Sequence, residues 1–377
     1  MPAVDRRAVL AYRARTNQLH ERLDAEAEAL AVLDLGVPNV PAGSARQALA
    51  ARTTRPLGGD LALVWATRGA PHLHRRADLP ALAAALWPLS DADATARFGG
   101  TQIPAGGPLG LAAFTATADA FSAVVLRETA KGDVSRAVSD RVPAEVTYDC
   151  RACGATHISG ALFQQAGLAG GVQLDEPSAK TVLRPIEGWP GRPGSPGGPG
   201  GPWAAAGTSG LLRAYLRLLG PATPGDAAKY LGTTVSAIRP AWPPDLAEVT
   251  VGGPAGGRRA WLPAEDLAAL LAAEPVAGVR LLPPSDPFLQ ARDRPVLTPE
   301  KAREKEVWRM LGNPGVLLHD GDLAGTWRGT VRKGRLEVVL TPWVRLSAAT
   351  RSAVEAEAQT VAAVRGLAGA DVTGSGR

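Results

Sequence analysis

At 377 residues the chain exceeds one ordinary core of about 100 to 200 residues, so two or three structural units are expected. Hydrophobic residues make up 45% and charged residues 20%, which excludes a largely disordered chain. The formal charge of +5 points to an anionic partner, although an excess of Arg over Lys alongside abundant Ala, Gly and Pro also follows from a GC-rich genome.

Cys150 and Cys153 are the only cysteines, which argues against a disulfide framework and for a reducing, cytoplasmic setting. Residues 1–15 alternate Arg with short apolar runs and lack the continuous apolar region of a signal peptide. No stretch approaches the roughly eighteen apolar residues that span a bilayer. No membrane partner is expected.

In chain order, residues 6–29 carry Val9, Leu10, Tyr12, Leu19 and Leu23 at helical spacing, predicting one amphipathic helix with Arg7, Arg13 and Arg15 on its polar face. The Gly- and Pro-bearing stretch 35–44 stops it, and a second helix follows over 45–52. Residues 61–65 read as a short apolar strand or helix end, and 78–87 as a helix with Asp78 at its N-cap. His72 and His74 fall in a turn that looks exposed, beside Arg68, Arg75 and Arg76; Arg75 and Arg76 suit phosphate better than His72 suits catalysis. Lys131-Gly-Asp-Val-Ser-Arg136 has the form of a turn into a helix capped by Asp133 or Ser135. Its flanking Lys131, Arg136 and Arg141 either face phosphates or mark an ordinary solvated helix start.

Cys150-Arg-Ala-Cys153 followed by His157 supplies three zinc-type ligands where a structural site needs four. A redox pair or ordinary thiols are the competing readings, and no metal or cofactor is assigned. The run GRPGSPGGPGGP over 191–202 reads as a linker or exposed loop. It divides an N-terminal region, 1–190, from a unit at 203–275 and a C-terminal α/β portion at 276–377.

The 203–275 unit has the order of a winged helix. Residues 211–219 form a helix ended by Gly220-Pro221, residues 225–231 a second helix opened by Pro224, and 235–242 a third with Val235, Ile238 and Trp242 inward. Residues 246–251 and 258–262 form the two strands of a wing around a flexible turn at 252–257. Arg239, with Thr233, Thr234 and Ser236, faces outward, suited to phosphates more than to base reading. A second hairpin runs 324–330, turns through 331–334 and returns over 335–340. It places Arg328, Arg332, Lys333 and Arg335 at its tip, either as a groove-seeking prong or as charges that protect a sheet edge.

Together, Leu35-Gly36-Val37, Arg68-Gly69-Ala70-Pro71-His72, Tyr215-Leu216-Arg217-Leu218-Leu219-Gly220-Pro221, Leu281-Leu282-Pro283-Pro284-Ser285-Asp286-Pro287-Phe288-Leu289 and Gly325-Thr326-Trp327-Arg328 resemble the bacterial winged-helix DNA glycosylase family of the AlkZ and YcaQ type. The resemblance extends from about Val9 to Gly366. It implies an α+β, mainly helical fold of tandem winged helices, including modules within 1–190, with a small β-rich C-terminal portion. It also implies double-stranded DNA as the partner, with no protein partner inferred, and excision of alkylated purines or unhooking of alkylation crosslinks. His72 matches a family histidine, which adds it to the DNA-facing set.

The family's catalytic pair, a Gln and a second Gln or Asp around one apolar residue, follows the Leu-Gly-apolar stretch. Here that window reads Val37-Pro38-Asn39-Val40-Pro41, and Pro38 and Val40 stand at or near the polar positions. Asn39 is the amide and Asp34 the nearest carboxylate available as catalytic substitutes; both also suit capping or turn roles. The alternative is a DNA-binding protein that keeps the scaffold without the catalytic pair.

Overall fold

The computed structural model describes residues 1–100, 102–175, 181–190, 202–252 and 257–374. The expected linker at 191–202 and the turn of the expected wing at 252–257 lie largely outside the described residues. The chain forms two compact units, one from residues 1–59, 215–223 and 245–377 and the other from 60–214 and 224–244. Both mix helices with sheet, giving a mixed α/β architecture in which helix exceeds strand.

In the first unit, helix Arg6–Thr16 starts at Asp5, whose carboxylate accepts the Ala8 amide at 2.8 Å. It stops well short of the expected Ala29. Asn17 ends it by donating its side-chain amide to the carbonyls of Arg13 (2.9 Å) and Leu218 (2.7 Å), and Gln18 turns away with φ at 57°. Arg13, expected on the polar face, is fully buried against Asp293 at 2.6 Å and donates to the Gly220 carbonyl at 3.0 Å. Strands Leu246–Val251 and Arg258–Pro263 pair antiparallel, with Ala3–Val4 parallel to the former. Val4, Val9, Tyr12, Val249, Ala260 and Leu262 fill the space between helix and strands.

A second sheet of this unit runs in the order Val279–Leu282, Gly315–His319, Asp322–Arg332, Arg335–Pro342, Ala370–Thr373. All pairs are antiparallel except the last, and a parallel pair needs a crossover. Helix Ala348–Val364 provides it, with Ser347 accepting the Thr350 amide at 3.0 Å as its N-cap. Val354, Ala358, Val361 and Ala362 on this helix pack over Leu281, Trp327, Leu336 and Val338. Helix Ser44–Ala50 is fixed nearby by a fully buried ion pair, in which Arg52 meets Asp286 at 2.7 and 2.9 Å.

In the second unit, strands Pro71–Arg75, Leu61–Trp65, Val172–Leu174, Val182–Pro185 and Thr129–Ala130 lie side by side in that order, each antiparallel to the next. Val64, Ala66, Leu79, Leu82, Leu168 and Ile186 form a core between sheet and helices. Trp65, Phe121 and Phe163 add aromatic contacts, with ring centroids 5.5 Å apart for Trp65 and Phe163 and 4.6 Å for Phe121 and Phe163. Asp93, fully buried in helix Asp91–Phe98, binds Arg97 at 2.8 Å and accepts the hydroxyl of Thr233, tying this helix to the turn after helix Pro224–Leu231.

His72 and His74 are not in an exposed turn. They occupy strand Pro71–Arg75 and are 5% and 2% exposed, because the pleat turns His72 and Leu73 alike into covered surroundings. The His72 Nδ1 lies 2.8 Å from the Ala70 carbonyl, so it carries the proton there. Burial lowers the His72 pKa to about 4 and that of His74 well below its ordinary value, so both rings are neutral at neutral pH.

Two predictions follow from these buried groups. Asp286→Ala leaves the Arg52 guanidinium buried without its carboxylate and should cost about 3–5 kcal/mol in urea unfolding. An unchanged midpoint would dismiss the pair as a structural tie. For His72, the folded pKa lies below the unfolded value, so the unfolded chain binds the extra proton between about pH 6.5 and 4. Stability is fully present above that window and falls as pH drops through it, by roughly 3 kcal/mol for this residue. His72→Asn, which can keep a donor towards Ala70, should flatten the acid slope; an identical slope would assign acid sensitivity elsewhere.

Candidate functional site

The window expected to hold catalytic groups begins with the turn Ala31–Asp34, passes through Gly36 at φ 74° and extends over strand Val37–Pro38. Asn39 follows, 8% exposed, and its side-chain oxygen accepts the amides of Gly43 (2.8 Å) and Ala45 (3.3 Å). The Ser44 hydroxyl donates back to the Pro38 carbonyl at 3.2 Å. These bonds close the 38–45 loop and satisfy amides at the start of helix Ser44–Ala50. Pro38 is buried and Val40 is 45% exposed, so the expected dyad positions present one hidden ring and one apolar side chain. Asp34 is ion-paired to Arg217, with side-chain exposures of 29% and 42%. The Arg217 carbonyl in turn accepts the Tyr12 hydroxyl at 2.9 Å.

In the second unit the expected phosphate-facing cations are held to different degrees. Arg75 binds Asp78 at 3.0 Å, and Arg76 binds Asp60 at 2.7 Å and the Gln173 side chain at 3.0 Å. Lys131 sits 5.8 Å from the centre of the Trp65 ring, a cation–π distance. Arg136 is 77% exposed and only 3.6 Å from Asp133. Helix Lys131–Ser139 begins at Lys131 itself, so Asp133 and Ser135 lie within its first turns and cap nothing. Arg239 is exposed, and nothing among the described residues pairs with it.

The third helix of the expected winged helix is shorter than its sequence suggests. Helix Val235–Ile238 has one turn, with Thr234 accepting the Ala237 amide at 3.2 Å, and passes into the tighter turn Arg239–Ala241. Pro240 lacks the amide that would continue an α-helix. Val235, expected inward, is 41% exposed, whereas Ile238 is fully buried.

The basic hairpin of the first unit is longer than expected. Strand Asp322–Arg332 continues past Thr330, leaving Lys333 and Gly334 as a two-residue turn with φ of 49° and 75°. Positive φ at both positions matches the right-handed twist of the flanking strands. Every residue from Arg328 to Arg335 is exposed. Arg332 lies 3.2 Å from Glu337, Arg335 makes a forked pair with Asp371 at 2.7 and 2.8 Å, and Arg328 donates to the Gly312 carbonyl at 2.8 Å. The hydrogen bond from Arg335 holds the Asp371 carboxyl below the usual carboxylate range. Lys333 projects at the tip.

Sequence reasoning missed the buried charges. Arg13, Arg52, Asp286 and Asp293 organise the first unit, yet each sits in a stretch that reads as ordinary surface or loop. The signal was present for Arg13, placed between Tyr12 and Ala14 in an otherwise apolar run, and for Asp286 within Pro-Ser-Asp-Pro-Phe. A concavity of about 590 Å³ lined by Arg22, Arg46, Thr53, Arg55 and Val364 was also unforeseen. Among the described residues, Cys150, Cys153 and His157 form the group of side chains able to hold a metal.

The family described as DNA glycosylase AlkZ-like matches residues 42–364, well over half of the chain. The solved DNA glycosylase AlkZ of Streptomyces sahachiroi has the same fold, with a TM-score of 0.75 over 99% of this chain and 100% of that one at 20% identity. No curated protein matches the chain significantly. No described helix is long and apolar enough to cross a membrane. On the family match, and with a fold shared from end to end, the chain belongs to the AlkZ-like DNA glycosylase family.

Proposed function

We propose that this protein binds double-stranded DNA in the cytoplasm and excises alkylated purines or unhooks alkylation crosslinks. The observation that carries the proposal is the family match over residues 42–364. The chemistry asked of the protein is modest. Alkylation at a purine ring nitrogen makes the base cationic and a good leaving group, so the site must mainly stabilise a sugar cation and orient a water. Asp34 is the carboxylate for the first task and Asn39 the amide for the second.

We further read the 203–275 region as a winged helix from the order of its elements along the chain, three helices followed by two antiparallel strands. A tandem module within 1–190 and the β-rich 276–377 portion complete this reading. Arg239, Arg332 and Lys333 are its best phosphate contacts because they are exposed and loosely held. Arg75, Arg76, Lys131, Arg136, Arg328 and Arg335 add positive potential, and His72, buried and neutral, supports the strand that ends in Arg75.

A second reading, DNA binding without hydrolysis, is favoured by a specific observation: Pro38 and Val40 carry no polar side-chain group, and the Asn39 oxygen is already committed to two backbone amides. One gel separates the two. Duplex DNA bearing N7-alkylguanine, incubated with the protein and treated with alkali, should break at the lesion. Asn39→Asp, which keeps an oxygen for both amides and adds a carboxylate, should at least preserve cleavage. Asp34→Asn should slow it by about tenfold, roughly 1.4 kcal/mol of barrier. Binding with no breakage on any alkylated duplex would establish the second reading.

Binding itself has a separate signature. Neutralising roughly four to six phosphates gives a slope of about −4 to −5 in log affinity against log salt. Replacing Arg332 and Lys333 by Ala should flatten that slope by about two units while leaving the fold intact. A slope near zero in the unmodified protein would sink DNA binding altogether, and an unchanged slope in the variant would remove the hairpin from the interface.

A further inference from the structure

The hairpin of strands Thr147–Cys150 and Ala155–Ile158 in the second unit carries Cys150 at the end of one strand, Cys153 in the turn and His157 on the return strand. Its register pairs Tyr148 with His157 and Cys150 with Ala155. Residues opposite one another share a face, and so do residues two apart on a strand, so Cys150 and His157 lie on the same side of the hairpin. Small Ala155 beside them leaves that side open. On the other face, the Thr156 hydroxyl donates to the Asp149 carboxylate at 2.8 Å, which occupies the nearest acid.

The turn brings in the third group. The Gly154 amide donates to the Cys150 carbonyl at 2.9 Å, and Gly154 takes φ of 62°, a conformation that costs a side-chain-bearing residue more. That geometry folds Cys153 back over the face. The Cys153 sulfur comes within 2.9 Å of His157 Nε2, and the two sulfurs and the ring nitrogen all lie within 4.8 Å of one another. Tetrahedral zinc, with bonds of about 2.3 Å to sulfur and about 2.0–2.1 Å to nitrogen, requires ligand separations of roughly 3.5 to 3.8 Å. Small side-chain rotations convert one arrangement into the other. Cys150 and His157 are half-buried and Cys153 is exposed, so an ion has a way in.

We propose that Cys150, Cys153 and His157 bind a zinc ion, with a water completing the fourth position. Two thiolates and an imidazole favour this metal over the hard cations, and the two thiolate charges neutralise the ion. Binding releases the two thiol protons to solvent while His157 coordinates as the neutral ring. Among the described residues no fourth Cys, His, Asp or Glu joins the group, which leaves one position for water. The ion braces a hairpin of two four-residue strands, an element too short to be stable by itself. This site is independent of the glycosylase reading.

The test uses the full chain, expressed with added zinc and purified under reducing conditions without chelator. Elemental analysis should find about one zinc per chain, and Cys150→Ser with Cys153→Ser should lower it at least tenfold. Cobalt added to the unmodified, metal-stripped chain should give thiolate-to-cobalt charge-transfer absorption, weakened in His157→Ala. Because the cobalt titration needs no variant, misfolding of a variant does not protect the idea. Zinc below a tenth of an equivalent with two freely titrating thiols and no cobalt band would overturn it, as would isolation of a Cys150–Cys153 disulfide from reducing buffer. Equal zinc in the double variant would place the metal elsewhere and overturn it too.

Discussion

Arg52 and Asp286 have no exposed surface, and the first unit is arranged around keeping them together. Two charges removed from water are tolerated only when each is paired and its remaining donors and acceptors are satisfied. Here they are. The Arg52 Nε donates to the Asn17 carbonyl at 2.8 Å, Nη1 also donates to the Ala48 carbonyl at 2.6 Å, and an Asp286 oxygen accepts the Phe288 amide at 2.9 Å. The pair thereby joins the end of the first helix, helix Ser44–Ala50 and the turn Pro287–Gln290, segments far apart in sequence. The Arg13–Asp293 pair repeats the device, with Arg258 reaching the same Asp293 carboxylate at 2.8 Å. An apolar cluster of equal volume could hold these segments as tightly; the ion pairs add directionality, because each guanidinium donor points at a particular acceptor.

That constraint reaches the 38–45 loop. Helix Ser44–Ala50 is fixed at its far end through Arg52, and through Gln47, which donates to the Leu281 carbonyl at 3.3 Å and accepts from Arg365 at 3.0 Å. At its near end, Asn39 and Ser44 tie the loop to itself. An amide oxygen that receives two backbone donors is a structural group first. Any chemistry at Asn39 must use what capping leaves over, and a substitution that drops the cap is expected to cost about 1 kcal/mol whatever it does to catalysis. The exposed Val40 side chain beside it adds apolar surface but neither donor nor acceptor. The capping bonds of Asn39 and the apolar side chains of Pro38 and Val40 thus leave this loop few free polar groups.

The sequence was most readable where a local signal decides local structure. Pro224 opens a helix, Gly220-Pro221 closes one, and Lys333-Gly334 turns a hairpin, each through backbone geometry that needs no distant partner. The alternating run Leu246–Val251 likewise declared itself a strand. What could not be read was decided by contacts from elsewhere. The first helix ends at Thr16 because Asn17 finds the Leu218 carbonyl, about two hundred residues on, and Arg13 is buried because Asp293 awaits it. His72 and His74 looked exposed among arginines, but the register with Leu61–Trp65 makes that segment a covered strand. For the candidate cations, spacing did not reveal which would be held by acids, since whether a cation is free depends on partners contributed from elsewhere.

In the basic hairpin, such pairing decides which cations are free to meet an anion such as the phosphate of the proposed DNA partner. Its four cations face two carboxylates, and a phosphate must compete with Asp371 for Arg335 and with Glu337 for Arg332. The competition is unequal. Arg335 is held by a forked pair, which leaves few donors for a second anion, whereas Arg332, 71% exposed, meets a half-exposed Glu337 through a single 3.2 Å contact. An exposed pair of that kind is worth about 1 kcal/mol or less and is further screened by salt. Lys333, at the outer point of the turn, is the easiest to commit. On the proposed DNA-binding function, the tip is therefore the first point a phosphate meets, while Arg335 serves through its field and through its grip on strand Ala370–Thr373.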